Sequence, residues 1–258
     1  MTTRHEPGTF CWFECATRDV AAAKRFYTQL FGWNAVDMPM PAGQPGFYTL
    51  LKLGTDDVAG MYPMDGPMFD GVPPNWTTYV TVTDVDDIAR RAESLGATIV
   101  APPMDIENIG RFAFFADPTG ANIAVFKPGG HHGTVKRGPV HGTFGWSELM
   151  TRDTRAAKAF YTELFNWRTK ADKNEPYTEF QVGSQSIGGM LEMKPEMQGV
   201  PPHWMPYVCV DNCNAIADQV KKLGGTLIVP PQDIPNVGRF SVFSDPSGAA
   251  LAVIQLTS

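Results

Sequence analysis

The chain repeats itself, and this limits its folds more than any single motif does. GTFCWFECATRDVAAAKRFYTQLFGW at 8–33 returns as GTFGWSELMTRDTRAAKAFYTELFNW at 142–167, with 17 of 26 positions identical. The stretch 72–126 returns at 200–254 with 27 of 55 identical. The offset drops from 134 to 128 because the intervening segment has 38 residues in the first copy (34–71) and 32 in the second (168–199). A period this long, covering most of a chain, means two copies of one supersecondary design. The expected division is a first module at 1–127, a linker at 128–141 and a second module at 142–258, because the Gly- and Pro-containing KPGGHHGTVKRGPV (127–140) marks the join.

Each copy has a twofold pattern of its own. In the first, TFCWFEC reads as a strand, followed by a helix with Asp19 as N-cap and Ala22, Ala23, Phe26, Tyr27 and Leu30 at helical spacing. Short strands are expected around Ala35–Met38, Phe47–Lys52 and Val58–Tyr62. The order then starts again, with a strand at Thr77–Thr83, a helix from Asp84 that stops at Gly96, and strands at Thr98–Val100, Arg111–Ala116 and Asn122–Phe126. Asp117-Pro118-Thr119-Gly120 joins the last two as a turn. The reading is an α+β chain in which each module is βαβββ twice over. Only two helices serve each module, so one sheet face is helix-covered and the other curves round a cavity or meets a partner.

Composition removes several classes of function. Lys plus Arg total 21 against 27 Asp plus Glu, a formal charge of −6, so no basic footprint for nucleic acid or an anionic membrane is present. No apolar run is long enough to span a bilayer, and the start MTTRHEPGTF lacks a secretory pattern, so a soluble cytoplasmic protein is expected. The four cysteines form two C-x3-C pairs, Cys11/Cys15 and Cys209/Cys213. Residues four apart on a strand are separated by about 13 Å, too far for a disulfide, so buried thiols in a reducing compartment are expected.

The D-x-x-x-A-x-x-F-Y helix (Asp19 to Tyr27, Asp153 to Tyr161), the LFGW or LFNW that follows and the terminal DPTGANIAVF and DPSGAALAVI resemble the vicinal oxygen chelate superfamily of glyoxalase I, bleomycin-resistance proteins and extradiol dioxygenases. The similarity is greatest to a tandem glyoxalase-like group that includes mycobacterial culture-filtrate antigens and actinomycete proteins labelled hydroxylases. The resemblance implies that each module is a pair of βαβββ units forming an eight-stranded mixed-sheet cup, with helices on the convex face and, in metal-dependent members, His, Gln or Glu ligands on cup-facing strands. Carried over residue by residue, the ligand positions fall on Trp12 and Trp146, near Thr77 and Met205, and on Ala124 and Ala252. A catalytic divalent metal needs at least three side-chain donors. The expectation is therefore no metal and no cofactor.

Period-two alternation puts Phe10, Trp12 and Glu14 on one strand face, and the Trp12 position is the cup-facing one, so Glu14 and its counterpart Glu148 are the candidate catalytic carboxylates. The bland alternative for each is a carboxylate held by backbone or an Arg at the rim. Arg111 and Arg239, in identical GRF sequences, are candidate anion clamps, or pins for their own loops through Asp105 and Asp233. Trp12, Trp76 and Tyr79, with Trp146, Trp204 and Tyr207, are candidate ligand-binding aromatics, while Trp33 and Trp167 close a helix and read as core. None of the five histidines is placed as a shared base. The leading expectation is a metal-independent protein, monomeric or homodimeric, that binds a small, partly planar organic molecule. One alternative is a metal-dependent or detoxifying enzyme of the same superfamily, such as a methylglyoxal lyase, an isomerase or an oxygenase/hydroxylase. The other is a structural or interaction protein whose cups are plugged by its own aromatics.

Overall fold

The computed structural model describes residues 5–40, 46–135, 139–171 and 176–257. In the first repeat the elements are β1 (Phe10–Thr17), α1 (Val20–Phe31), β2 (Asn34–Pro39), β3 (Phe47–Leu53), β4 (Asp56–Pro63), β5 (Asn75–Thr81), α2 (Val85–Ser94), β6 (Thr98–Ile106), β7 (Gly110–Ala116) and β8 (Asn122–Pro128). The second repeat follows with β9 (Thr143–Thr151), α3 (Thr154–Phe165), β10 (Arg168–Ala171), β11 (Tyr177–Val182), β12 (Gln185–Glu192), β13 (His203–Cys209), α4 (Cys213–Lys222), β14 (Thr226–Ile234), β15 (Gly238–Ser244) and β16 (Ala250–Leu256). Two eight-stranded mixed sheets result, in the orders β2-β3-β4-β1-β5-β8-β7-β6 and β10-β11-β12-β9-β13-β16-β15-β14. Within each βαβββ half the first strand runs parallel to the fourth, as β1 does to β4, and the remaining pairs are antiparallel hairpins.

The helices start where side chains can cap them. Asp19, Asp84, Asp153 and Asn212 each accept a hydrogen bond from a backbone N–H three residues on, satisfying donors that a helix start leaves open. One strand runs further than the sequence pattern indicated. β6 continues through Pro102 and Pro103 to Ile106, with register shifts between Ile99 and Met104. Proline donates no ladder bond and survives in strands at edges and bulges, and β6 is the outer strand of its sheet.

Packing groups the chain differently from its repeats. Among the described residues one compact unit comprises 5–11, 77–133, 146–171 and 176–205, and the other 12–40, 46–76, 134–135, 139–145 and 206–257. Each therefore combines the second half of one repeat with the first half of the other. In the first unit Trp204 donates its indole N–H to the Tyr161 hydroxyl at 2.8 Å, and Tyr161 donates to Oδ2 of Asp117 at 2.8 Å. Asp117 lies in the β7–β8 turn, and its Oδ1 accepts from Thr119 and Ala121. In the second unit Trp76 donates to Tyr27 at 2.8 Å, and the Tyr27 hydroxyl faces both Asp245 and the Cys15 thiol. Here Asp245 Oδ2 is buried without a partner at full hydrogen-bond geometry. The Cys15 thiol also lies against Tyr27, at a position where the second repeat has Leu149. The helix-closing tryptophans cross between repeats as well: Trp33 donates to the Gly142 carbonyl and Trp167 to the Gly8 carbonyl, each at 2.8 Å.

The stretch expected to be a linker is bonded along its length, apart from 136–138, which lie outside the described residues. Gly129 and His131 donate backbone N–H groups to the Ile109 carbonyl, and Val135 donates to the carbonyl of Asp57. All four cysteines are buried thiols that form no disulfide.

Tyr161→Phe should lower the unfolding free energy by about 1.5–3 kcal/mol, seen as a lower denaturant midpoint with little change in slope, because it leaves the Trp204 donor and the Asp117 carboxyl oxygen buried without their shared partner. Equilibrium urea unfolding measures this. Tyr27→Phe should cost less, since Asp245 is bonded less completely.

Candidate functional site

The faces of β1 decide the site. Phe13 stacks on Phe144 at 4.0 Å between ring centres, and Cys15 lies against Tyr27 of α1, so the odd-numbered side chains face the helix layer. Strand alternation turns Trp12 and Glu14 to the opposite face. There the Tyr48 hydroxyl of β3 donates to Oε1 of Glu14 at 2.5 Å, and the Trp12 indole N–H is shared between the Tyr48 oxygen at 3.0 Å and Glu14 Oε1 at 3.3 Å. Trp12 is buried, while Glu14 and Tyr48 are half-buried. A half-buried carboxylate thus receives two aromatic donors, which offset the cost of taking it partly out of water. Burial and the adjacent Glu14 charge push the Tyr48 phenol well above the ordinary tyrosine range, and the same two causes raise Tyr62 on β4.

The second repeat builds the same group. Trp146 donates to the Tyr177 hydroxyl at 2.8 Å, and Glu148 hydrogen-bonds that hydroxyl. Burial first and the Glu148 charge second raise the Tyr177 phenol in turn. A glycine makes room in both. Gly60 lies opposite Glu14 in the β1–β4 register, and Gly189 lies opposite Glu148. A Cβ at Gly60 would collide with the Tyr48 hydroxyl and come within 3.2 Å of Glu14 Cγ, and one at Gly189 would collide with the Tyr177 hydroxyl. Glycine is required here by close approach and not by backbone angle.

The other expected residues divide. Trp76 and Trp204 are a correction: their indoles are buried on the helix side, bonded to Tyr27 and Tyr161. The reason is already in the spacing, because Trp76 and Tyr79 are three apart on one strand and cannot share a face. Tyr79 lies opposite Ala124 and Tyr207 opposite Ala252 in their ladders. Arg111 does not clamp an open site. Its guanidinium makes a two-pronged bond to Asp86 of α2 and a further bond to Asp105, holding the Asp86 carboxyl below its usual range. Arg239 bonds Asn214, Asp233 and the Pro231 carbonyl, beside an open surface cleft of about 320 Å³. Both arginines pin their own loops. Tyr48 and Tyr177 were not anticipated. Aligning the middle segments at an offset of 129 would have found them, since Tyr48-Thr49 and Gly60-Met61 then match Tyr177-Thr178 and Gly189-Met190.

Residues 10–125 and 143–253 each match the family described as Glyoxalase/Bleomycin resistance protein/Dioxygenase superfamily. The chain belongs to that superfamily. It is 38% identical over 256 residues to "Putative glyoxylase CFP32" of Mycobacterium tuberculosis (strain CDC 1551 / Oshkosh), covering 98% of this chain and 97% of the relative. It is 34% identical over 267 residues to the anthracycline biosynthesis protein DauV of Streptomyces sp. (strain C5), covering 98% and 95%. Among solved structures, the Mn(II)-bound glyoxalase of Novosphingobium aromaticivorans superposes with a TM-score of 0.65 at 15% identity, over 99% of this chain and 83% of that one. The 2,3-dioxygenase LapB of Pseudomonas sp. KL28 gives 0.65 at 11%, over 98% and 94%. These two establish the fold.

The bound Mn(II) of one superfamily structure raises the question of a metal here. The ligand positions that the resemblance implies fall on Trp12, near Thr77 and on Ala124 in the first repeat, and on Trp146, near Met205 and on Ala252 in the second. Indole and methyl groups offer no lone pair, and a single hydroxyl or thioether falls short of the three donors such an ion needs. Among the described residues no group of three His, Cys, Asp or Glu is placed to hold a metal ion. The donor set does not fit the superfamily's metal.

Gly60→Ala should displace the Tyr48 ring and destabilise the fold by about 1–3 kcal/mol, as overpacking does. In a Tyr48→Ala background the same change should cost less, by about 1 kcal/mol or more of coupling. A double-mutant cycle by chemical denaturation measures it, and equal costs in the two backgrounds would count against the close approach.

Proposed function

We propose that the protein binds a small, partly planar organic molecule against its Trp–Glu–Tyr groups, without a metal. The observation that carries this is the replacement of the superfamily's first-strand ligand, in both repeats, by a tryptophan joined through a tyrosine hydroxyl to a carboxylate. A planar ligand stacking on the half-buried aromatic rings of these groups, Tyr48 in the first repeat and Trp146 in the second, would gain about 0.5–1.5 kcal/mol beyond burial. The carboxylate and phenol supply an acceptor and a donor that orient a hydroxyl or carbonyl on it. The 34% identity to a protein named for anthracycline biosynthesis supports a ligand with fused or conjugated rings.

A second reading rests on the 2.5 Å bond between Tyr48 and Glu14. A carboxylate in such contact with a phenol kept protonated can exchange a proton with a bound carbonyl compound, which would make the protein an enzyme acting by general acid–base chemistry. No described helix is long and apolar enough to cross a membrane. A cytoplasmic location is part of the proposal, supported by four buried cysteines that form no disulfide.

A ligand identified by native mass spectrometry separates the readings. Trp12→Ala should weaken its binding by roughly 2–4 kcal/mol, the loss expected of a central aromatic anchor. Glu14→Gln keeps shape while removing the base, so binding should persist. If Glu14→Gln instead lowers turnover about 10²–10⁴-fold with binding intact, the enzymatic reading replaces the binding one. One bound equivalent of Mn, Fe, Ni or Zn in protein purified without chelators would overturn metal independence.

A further inference from the structure

The two Trp–Glu–Tyr groups are alike, but the strands beside them are not. On β2 and β3, Val36 lies opposite Leu50 and Met38 opposite Tyr48, so these four side chains share the face that carries Glu14. Gly60 lies opposite both Leu50 and Glu14, and Tyr62, two residues on along β4, shares that face. Beside Tyr48 the first repeat thus presents valine, methionine, leucine and a second tyrosine. Val36 and Met38 do so while 44% and 40% exposed. Apolar side chains held in solvent beside an aromatic group mark a place where an apolar partner settles.

In the second repeat the positions of Val36 and Leu50 are taken by Lys170 and Glu179, again directly opposite one another. Their side chains form an ion pair at 3.3 Å, and Ser186 donates to the other oxygen of Glu179 and accepts from Gln181. The position of Tyr62 is Leu191, opposite Met150 of β9. Covering this surface with an apolar ring would strip water from an ion pair and a hydroxyl without replacing their bonds, which is costly. The first repeat has an ion pair of its own, Lys52 with Asp57, but it stands beyond the register shift at Leu51, two residues further along β3 from Tyr48 than Leu50.

We infer that the repeats have diverged in ligand: the first takes an uncharged, apolar aromatic molecule, and the second does not take the same one. This rests on the binding reading above and adds a location and a ligand class to it. The duplication itself provides the control, since the hydrogen-bonded group is common to both repeats and only its surroundings differ.

The test uses 2-naphthol, an uncharged planar phenol, titrated calorimetrically into the full chain. One equivalent should bind. Leu50→Glu should weaken it at least tenfold, and Met38→Lys, at an exposed position where folding is not at risk, should weaken it severalfold. Glu179→Gln should leave the affinity within twofold. Two equivalents of similar affinity, or one equivalent that responds to Glu179→Gln and not to Leu50→Glu or Met38→Lys, would overturn the division between repeats while leaving the binding reading standing. No binding of 2-naphthol at all would remove the apolar-aromatic ligand class, and screening for any planar ligand would then decide whether the binding reading falls too.

Discussion

A carboxylate buried in each compact unit sets the conditions for everything around it. Asp117 and Asp245 are both 3% exposed, in turns that close the last hairpin of their repeats. A carboxyl group at that depth is tolerable only when hydrogen bonds replace its lost water. Backbone N–H groups and a hydroxyl of the same turn satisfy one oxygen of each. The other oxygen faces a tyrosine on the first helix of the opposite repeat, Tyr161 or Tyr27. That tyrosine is completed in turn by a tryptophan, so three residues distant in sequence must arrive together. Networks of this kind lose more than one bond when any member is missing. Each repeat therefore depends on the other to satisfy its own turn.

The same constraint fixes the outer faces of the strands. Once Cys15 and Phe13 are committed to the helix layer, a one-residue slip of β1 would place Trp12 and Glu14 in the core and turn the cysteine and phenylalanine outward. Gly60 and Gly189 then determine how near the tyrosines can approach, because any side chain at either position would occupy the place of a phenol. The geometry of the candidate site is thus a by-product of register. It is held by strands, not loops, and strands place groups with greater precision.

The arginines show how a motif can be read correctly and still mislead about function. Arg111 and Arg239 occupy equivalent positions and both hold their own loops, yet their second partner changes from Asp86 to Asn214 between repeats. The loop-pinning alternative was legible from the D-I-x-N-x-G-R spacing, since a carboxylate six residues before an arginine lies across a hairpin from it. The anion-clamp alternative required the guanidinium to be unoccupied, and occupancy depends on Asp86, which lies on a different element.

The sequence by itself determined the duplication, the βαβββ order, the helix caps and the phase of β1, because all of these are periodicities or short-range rules written into neighbouring residues. Tertiary structure decided what period and spacing do not encode. Trp76 and Trp204 turned to the helix side because strand geometry outranks the chemical appeal of an indole near a cavity. Tyr48 and Tyr177 reach Glu14 and Glu148 from strands whose flanking segments differ in length between the repeats, so the offset that relates the first strands does not relate the tyrosines. The compact units cut across the repeats because each buried aspartate found its tyrosine in the other copy, and a contact spanning 44 residues between Asp117 and Tyr161 leaves no local pattern to read.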